Sequence, residues 1–411
     1  MNKVLQQKQN YKFNILKNIN VLCLSLVVFI LPLNQKIISP FIGLWVLSSL
    51  LHIILNRIKF KMNKPLLLLI GFYFILVVGV LWSNNKGEAG FDLEVKMSLA
   101  LFPLLFLFIK LTINDIKKVL NSFLIGILLS SLYLLYNSYL LYIDTNDFEM
   151  FFYSNLSDKI HPSYMSNYIV LVIVILLVDL KYQILELHKN KLIYVLFIIY
   201  LFSFNILLLS KIGIISSVVI LSYFVINWVV TKHKYLLGFF ILAILCTSLY
   251  VSYKKVSFVN QRVNELITGL TVTSSSSDYG STEIRIKIWK EGMTLIKNSP
   301  FIGYGTGDVK DVLMKQYLEN DIMSAHRKKL NAHNQFIQVA IAIGGVGFLY
   351  FCYLFFISIK NGIIQNKPYF VAFIVLSILY MLPESTLENQ AGTIFFGLFF
   401  SLLNQESLRK I

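Results

Sequence analysis

The chain has 411 residues, 56% of them hydrophobic and 14% charged, with a mean hydropathy of +0.69 and a formal net charge of +16. Soluble domains carry about 25% charged residues, so this composition excludes an ordinary water-soluble globular protein. The positive balance alone would also suit a nucleic-acid binder, but its placement along the chain argues against that reading.

A stretch of about 20 apolar residues crosses the hydrocarbon core as a helix. Twelve apolar runs are present, near residues 15–33, 37–55, 65–82, 97–109, 119–143, 162–179, 192–209, 212–230, 235–253, 334–359, 368–383 and 391–403. The fourth and the last are short. They predict an all-α, polytopic, single-domain membrane protein of about twelve helices. The first run follows Lys3, Lys8, Lys12 and Lys17 as a signal peptide would, but it lacks a small-residue cleavage site and eleven runs follow, which predicts an uncleaved helix. With a cytoplasmic N-terminus, the segments on that side carry 20 Lys and Arg, while the short loops opposite carry only Lys36, Lys86, Lys96, Lys159 and Lys211. Such an imbalance follows the positive-inside rule and predicts that both termini are cytoplasmic. The charge is topology, and no nucleic-acid partner is expected. Cys23, Cys246 and Cys352 all fall inside runs and predict neither a disulfide framework nor a metal cluster.

Most connections are short, but about 80 residues, 254–333, separate the ninth and tenth runs on the outer side. Within them, "TVTSSSSDYGS" is a flexible composition, and Thr282–Ser299 places Ile284, Ile288, Leu295 and Ile296 among charges at amphipathic-helix spacing. The turn cluster "NSPFIGYGTG" stops that helix, and "DVKDVLMKQYLEN" predicts a second short one. A connection this long suits a functional element better than a simple linker. A second outer loop, residues 144–168, is acidic and aromatic, and neither an internal repeat nor inverted symmetry between halves is evident.

On this topology His161, Lys211, His333, Glu384 and Glu388 all fall at outer ends of runs, and Arg285 lies in the long loop one helical turn before Trp289. Each has a plain reading on its own. Asn334 caps a helix with His333 at the water boundary, Lys211 snorkels, and Arg285 sits on a solvated face. Trp289 anchors at the interface, His161 marks a loop-to-helix junction, and Glu384 and Glu388 flank a helix start. Together they say more, because ionisable groups beside membrane spans are costly and tend to mark function. Arg and Lys facing outward next to lipid suit a diphosphate headgroup. A neutral-pH imidazole can accept a proton from an attacking hydroxyl. These are parts for displacing a lipid diphosphate from a sugar, with fixed cations holding the negative leaving group. Asp92 and Glu94 offer an acidic pair, but no His/Cys spacing for a metal accompanies them, so no metal or other cofactor is expected.

The order Arg285-x-x-x-Trp289, then Pro300-x-x-Gly303-x-Gly305, then His333-Asn334 opening a Gly-rich run resembles the O-antigen ligase and polymerase family, best over residues 195–360. His161-Pro162-Ser163-Tyr164 and the C-terminal "ESTLENQAGTIFFGLFFSLL" resemble its Bacteroidetes-type members. The resemblance implies a GT-C-type glycosyltransferase of the bacterial inner membrane. Such an enzyme moves a glycan from undecaprenyl diphosphate to an acceptor hydroxyl, such as a lipid A core sugar, on the periplasmic face, with inversion and without a metal. It implies that Arg285 and Lys211 contact the diphosphate and that His333 assists catalysis, with Asn334, Trp289, His161, Glu384, Gly303 and Gly305 in support. Where the family has Ser-Arg-Gly, this chain reads Ser210-Lys211-Ile212-Gly213, keeping the charge but losing the bidentate fork. A polymerase, a protein O-oligosaccharyltransferase and, from another class, a lipid-linked glycan transporter or flippase are the competing readings.

Overall fold

The computed structural model describes residues 2–233 and 281–409, together with isolated positions between them. Most of the ninth apolar run, 235–253, and most of 254–280 lie outside the described residues. Everything described is helix, turn or irregular chain, as expected for a polytopic membrane protein. We number the helices α1 (Asn2–Ile30), α2 (Ile38–Leu55), α3 (Lys64–Gly79), α4 (Lys86–Lys96), α5 (Ser98–Phe106), α6 (Ile113–Thr145), α7 (Tyr153–Leu156), α8 (Pro162–Tyr182), α9 (Lys191–Leu207) and α10 (Lys211–Lys232). Beyond the undescribed stretch come α11 (Ser281–Asn298), α12 (Val309–Glu319), α13 (Met323–Arg327), α14 (Gln335–Ile364), α15 (Pro368–Met381) and α16 (Gln390–Leu403).

Among the described residues six helices, α1, α2, α6, α8, α10 and α14, have the length and apolar character to cross a membrane, and α3, α9, α15 and α16 are shorter apolar helices. The fourth predicted run is realised as α5, nine residues long and so about 14 Å at 1.5 Å per residue, well short of a bilayer core. It follows α4 almost directly, and α16 lies against it, with Gly397 close to the Ser98 carbonyl.

Two helices run through the middle of the core. From Met165 to Leu176 every residue of α8 is buried, as is every residue of α16 from Ala391 to Leu403. A helix apolar on all sides belongs inside a bundle, and here Tyr168, Phe395, Phe399 and Phe123 stack between α8, α16 and α6. Several polar groups within this core pair with one another. The Ser166 hydroxyl meets Asn205 Oδ1 at 2.5 Å and the Tyr380 hydroxyl at 3.0 Å, and Asn205 Nδ2 donates to Ser217 Oγ at 2.8 Å. At the other end of α8, the Asp179 carboxylate accepts from the amides of Leu185, Glu186 and Leu187 and from the hydroxyls of Tyr194 and Tyr369.

The sequence reads 334–359 as one uninterrupted helix, but α14 is broken at Ile343 (φ −127°, ψ 18°) and Gly344 (φ +64°, ψ −166°). The Pro300–Gly305 turn occupies the break. Tyr304 N and Gly305 N donate to the Ile341 and Ala342 carbonyls at 2.9 Å each, and Gly345 N donates to the Pro300 carbonyl at 2.7 Å. Interrupted helical backbone is tolerated at membrane depth only where protein satisfies its freed groups, and this turn does so. The chain just beyond it reaches α3, where Thr306 Oγ1 donates to the Leu76 carbonyl at 2.7 Å, and the segment after α3, where Asp308 accepts from the amides of Asn84 and Asn85 at 2.7 Å each. A Cβ on Gly344 would lie less than 3 Å from the backbone of Phe301 and Ile302. We therefore expect Gly344→Ala to cost at least about 2 kcal/mol, from a left-handed φ that L-residues resist plus backbone collision. A lowered unfolding midpoint of the detergent-solubilised protein is the readout; an unchanged midpoint would show that the break is not needed.

Candidate functional site

Helix α11 forms because Ile284, Ile288 and Leu295 recur on one face, which is buried, while Lys290 and Lys297 face out. That register places Arg285 and Trp289 one turn apart on the flank facing the start of α14. Trp289 Nε1 donates to the His333 carbonyl at 3.1 Å. Asn334 caps α14, its Oδ1 accepting from Phe336 N at 2.9 Å and Ile337 N at 3.1 Å, which is the capping role its position predicts. The cap leaves the neighbouring side chain free to face another way: Asn334 caps while His333 turns inward.

His333 has φ +45°, left-handed for a residue that bears a Cβ. Such a conformation costs of order 1–3 kcal/mol and persists only where neighbours impose it. Here the Asn331 side chain accepts the His333 amide at 3.0 Å and Gln338 Oε1 accepts Ala332 N at 3.1 Å. The imidazole is directed at Glu384, in the loop after α15, with Nδ1 at 3.2 Å from Oε2. The other oxygen of the same carboxylate receives Arg285 Nη2 at 2.5 Å. Arg285 and His333 thus share one carboxylate, although they lie in different elements 48 positions apart.

Glu384 is mostly buried, with 15% of its side chain exposed. Burial pushes its carboxyl up, but the hydrogen bond from His333 and the charges of Arg285, His333 and His161 outweigh that and hold it below its ordinary value. It is therefore ionised at neutral pH and can only accept, so the hydrogen bond between them is donated by His333 Nδ1. His161, at the N-cap of α8, senses the same charges. Desolvation together with Arg285 and His333 draws its imidazole below the ordinary value, against the opposing pull of Glu384. Lys211 starts α10, and its Nζ donates to Thr282 Oγ1 at 3.0 Å, three residues before Arg285 on α11.

The structure thus joins Arg285 and His333 through Glu384 and ties Trp289 to the His333 carbonyl, with Asn334 as the adjoining cap, His161 within electrostatic reach and Lys211 tied to the start of α11. Gly303 and Gly305 lie elsewhere. They pack on the α14 break and on Ser83, with φ of +71° and +102°, about 10 Å along the helix from Asn334 at 1.5 Å per residue. Their part is to shape the turn, not to touch the charged cluster. Glu388, on the same loop as Glu384, faces away into a second cluster. There the buried Lys96 Nζ binds Asp92 at 2.6 Å and Glu388 at 2.9 Å, and Gln335 Nε2 donates to Glu388 at 3.0 Å. Burial opposes the charge on Lys96, yet the two carboxylates raise its pKa above the ordinary lysine value. The acidic residue Asp92 is thereby engaged by a lysine. Sequence reasoning counted Lys96 only as an outer-loop charge and missed this clamp; the i, i+4 spacing of Asp92 and Lys96 was its one signal.

What fold and site define is an all-helical membrane protein with a cationic, imidazole-bearing cluster at one end of its helices. Residues 195–352 match the family model described as O-antigen ligase. The match covers less than half of the chain but contains Lys211, Arg285, Trp289, His333 and Asn334, so this part of the chain is similar to the O-antigen ligase family. No curated protein matches the chain significantly.

Replacing Glu384 by Gln keeps the shape and removes the charge. Because the folded-state pKa of Glu384 is depressed, its stabilisation is fully present above the ordinary glutamate value and is lost as pH falls through the folded value. We expect Glu384→Gln to unfold at a lower temperature than wild type at pH 7, with the gap closing below about pH 4, under the usual carboxylate range. A gap that does not change with pH would mean that the charge is not what stabilises the loop.

Proposed function

We propose that this protein is a metal-independent, inverting glycosyltransferase of the bacterial inner membrane. It transfers a glycan from undecaprenyl diphosphate to an acceptor hydroxyl, a lipid A core sugar, on the periplasmic face, with both termini cytoplasmic. The observation that carries the reading is the single carboxylate of Glu384 holding Arg285 on one oxygen and His333 on the other. Glu384 orients the imidazole and leaves Nε2 to take the acceptor proton, as the carboxylate does in a Ser-His-Asp triad. The acceptor oxygen then forms a bond to the anomeric carbon, and the bond from that carbon to the diphosphate oxygen breaks on the opposite side. Arg285 and Lys211 receive the charge that develops on the diphosphate, supplying as fixed cations what a divalent metal supplies in other transferases. Arg285 can exchange part of its contact with Glu384 for a phosphate oxygen, since a guanidinium carries five donors.

Transfer is favoured over transport because Arg285, His333, Glu384 and Lys211 gather at the ends of their helices, where a carrier headgroup would lie, and not at mid-helix positions. With a defined lipid-linked oligosaccharide and purified protein, we expect His333→Ala to lower turnover by about 10²–10⁴-fold, the usual worth of a positioned general base. Arg285→Lys, which keeps charge without the fork, should fall between wild type and Arg285→Ala. Wild-type rates in well-folded His333→Ala and Arg285→Ala proteins would remove both residues from the chemistry. The mass of the product identifies the acceptor: glycan on a core sugar marks a ligase, a doubled repeat a polymerase, and a glycosylated peptide a protein transferase.

A further inference from the structure

Residues 144–160, between α6 and α8, carry Asp144, Asp147, Glu149 and Asp158 against the single Lys159, a negative patch in a chain whose overall charge is +16. Lys159 is turned aside, its Nζ donating to the Tyr133 hydroxyl at 2.6 Å and lying 4.1 Å from that ring's centre. Asp144, Glu149 and Asp158 remain exposed. Among these acids sits a group of aromatic rings. The 3-10 turn Phe148–Phe151 holds Phe148 against Tyr142 at 6.1 Å, Phe151 at 5.4 Å and Phe152 at 5.8 Å between ring centres, yet leaves Phe148 63% exposed.

This group is continuous with the charged cluster in two ways. Phe152 is buried against Leu209, which lies two residues before Lys211. The Tyr153 ring meets the His161 ring edge-on at 6.4 Å. Rings and carboxylates side by side are what a saccharide requires, because a sugar offers C–H faces that lie on aromatic rings and hydroxyls that donate to carboxylates. The same acids would repel a phosphate or an anionic lipid surface. We propose that the aromatic, acidic surface of residues 142–161 binds the glycan of the lipid-linked donor. The inference rests on the transferase reading above. The sugar nearest the diphosphate starts where Lys211 and Arg285 would grip the carrier, and the chain beyond it would run onto the surface that begins at Leu209 and Phe152.

Equilibrium binding to the detergent-solubilised full chain tests this without requiring turnover, using undecaprenyl diphosphate bearing the host's surface glycan and the same carrier without sugar. Wild type should prefer the glycan-bearing carrier. Phe148→Ala, a change at an exposed ring, should weaken that carrier about ten-fold while moving the bare carrier by less than about two-fold, and Phe148→Trp should restore it. The proposal is overturned if Phe148→Ala leaves the glycan-bearing carrier unaffected, or if both carriers weaken equally, which would make the surface a bilayer anchor. It is equally overturned if only the acceptor's KM rises in the transfer assay. Failure of the transferase reading shows separately, as wild-type turnover by His333→Ala and Arg285→Ala.

Discussion

A carboxylate in a poorly solvated pocket must be matched by hydrogen bonds and opposite charge, or it will not stay ionised. Glu384 meets that condition with a guanidinium on one oxygen and an imidazole on the other, and the rest of the site follows from it. The ionised carboxylate takes its hydrogen bond from His333 Nδ1, fixes the ring direction and brings α11 to the start of α14. The loop that carries Glu384 is itself tied down. Asn334 N donates to Ser385 Oγ at 3.1 Å, Leu387 N to Gln335 Oε1 at 2.7 Å, and Glu388 is held by Lys96 and Gln335. A short loop with contacts to both α4 and α14 places its acid far more narrowly than an unanchored one would.

The broken α14 supplies the other half of the support. An intact helix would leave the Pro300–Gly305 turn without partners, whereas the break presents the carbonyls of Ile341 and Ala342 to it and takes a donor back from Gly345. The turn is thereby fixed to a membrane-embedded element, and α11 and α12 on either side of it inherit that position. Asp308 at the start of α12 extends the attachment to the residues after α3. The strained φ of His333 lies between these two attachments, where the structure can impose it.

Periodicity made much of this legible beforehand. The apolar runs mark the long helices, the 3.6-residue repeat in Thr282–Ser299 marks α11, and an Asn before an apolar run marks the cap of α14. The residue types of the site were also readable, because Arg, Lys, His and Glu beside lipid stand out against an apolar background. Three features were not readable. Residues 97–109 are as apolar as a span, yet their helix ends after nine residues, with Pro103 inside it. The interruption of α14 was hidden because Gly344 and Gly345 in an apolar run suit either a continuous helix or a break, and only the incoming turn decides between them. The division of labour between Glu384 and Glu388 was hidden because, four residues apart before the last helix, they look alike in sequence but face different elements.

The sequence by itself determined that this is a helical membrane protein, where most of its helices lie, and which ionisable residues stand out against the apolar background. Those properties depend on composition and on spacing within a few residues. Only the tertiary structure decided that Arg285, His333 and Glu384 form one cluster while Lys96, Asp92 and Glu388 form another, and that Gly303 and Gly305 serve the helix break. Each of those pairings joins residues from separate elements, and an ion pair or hydrogen bond forms only where packing has already brought its two partners within about 3 Å.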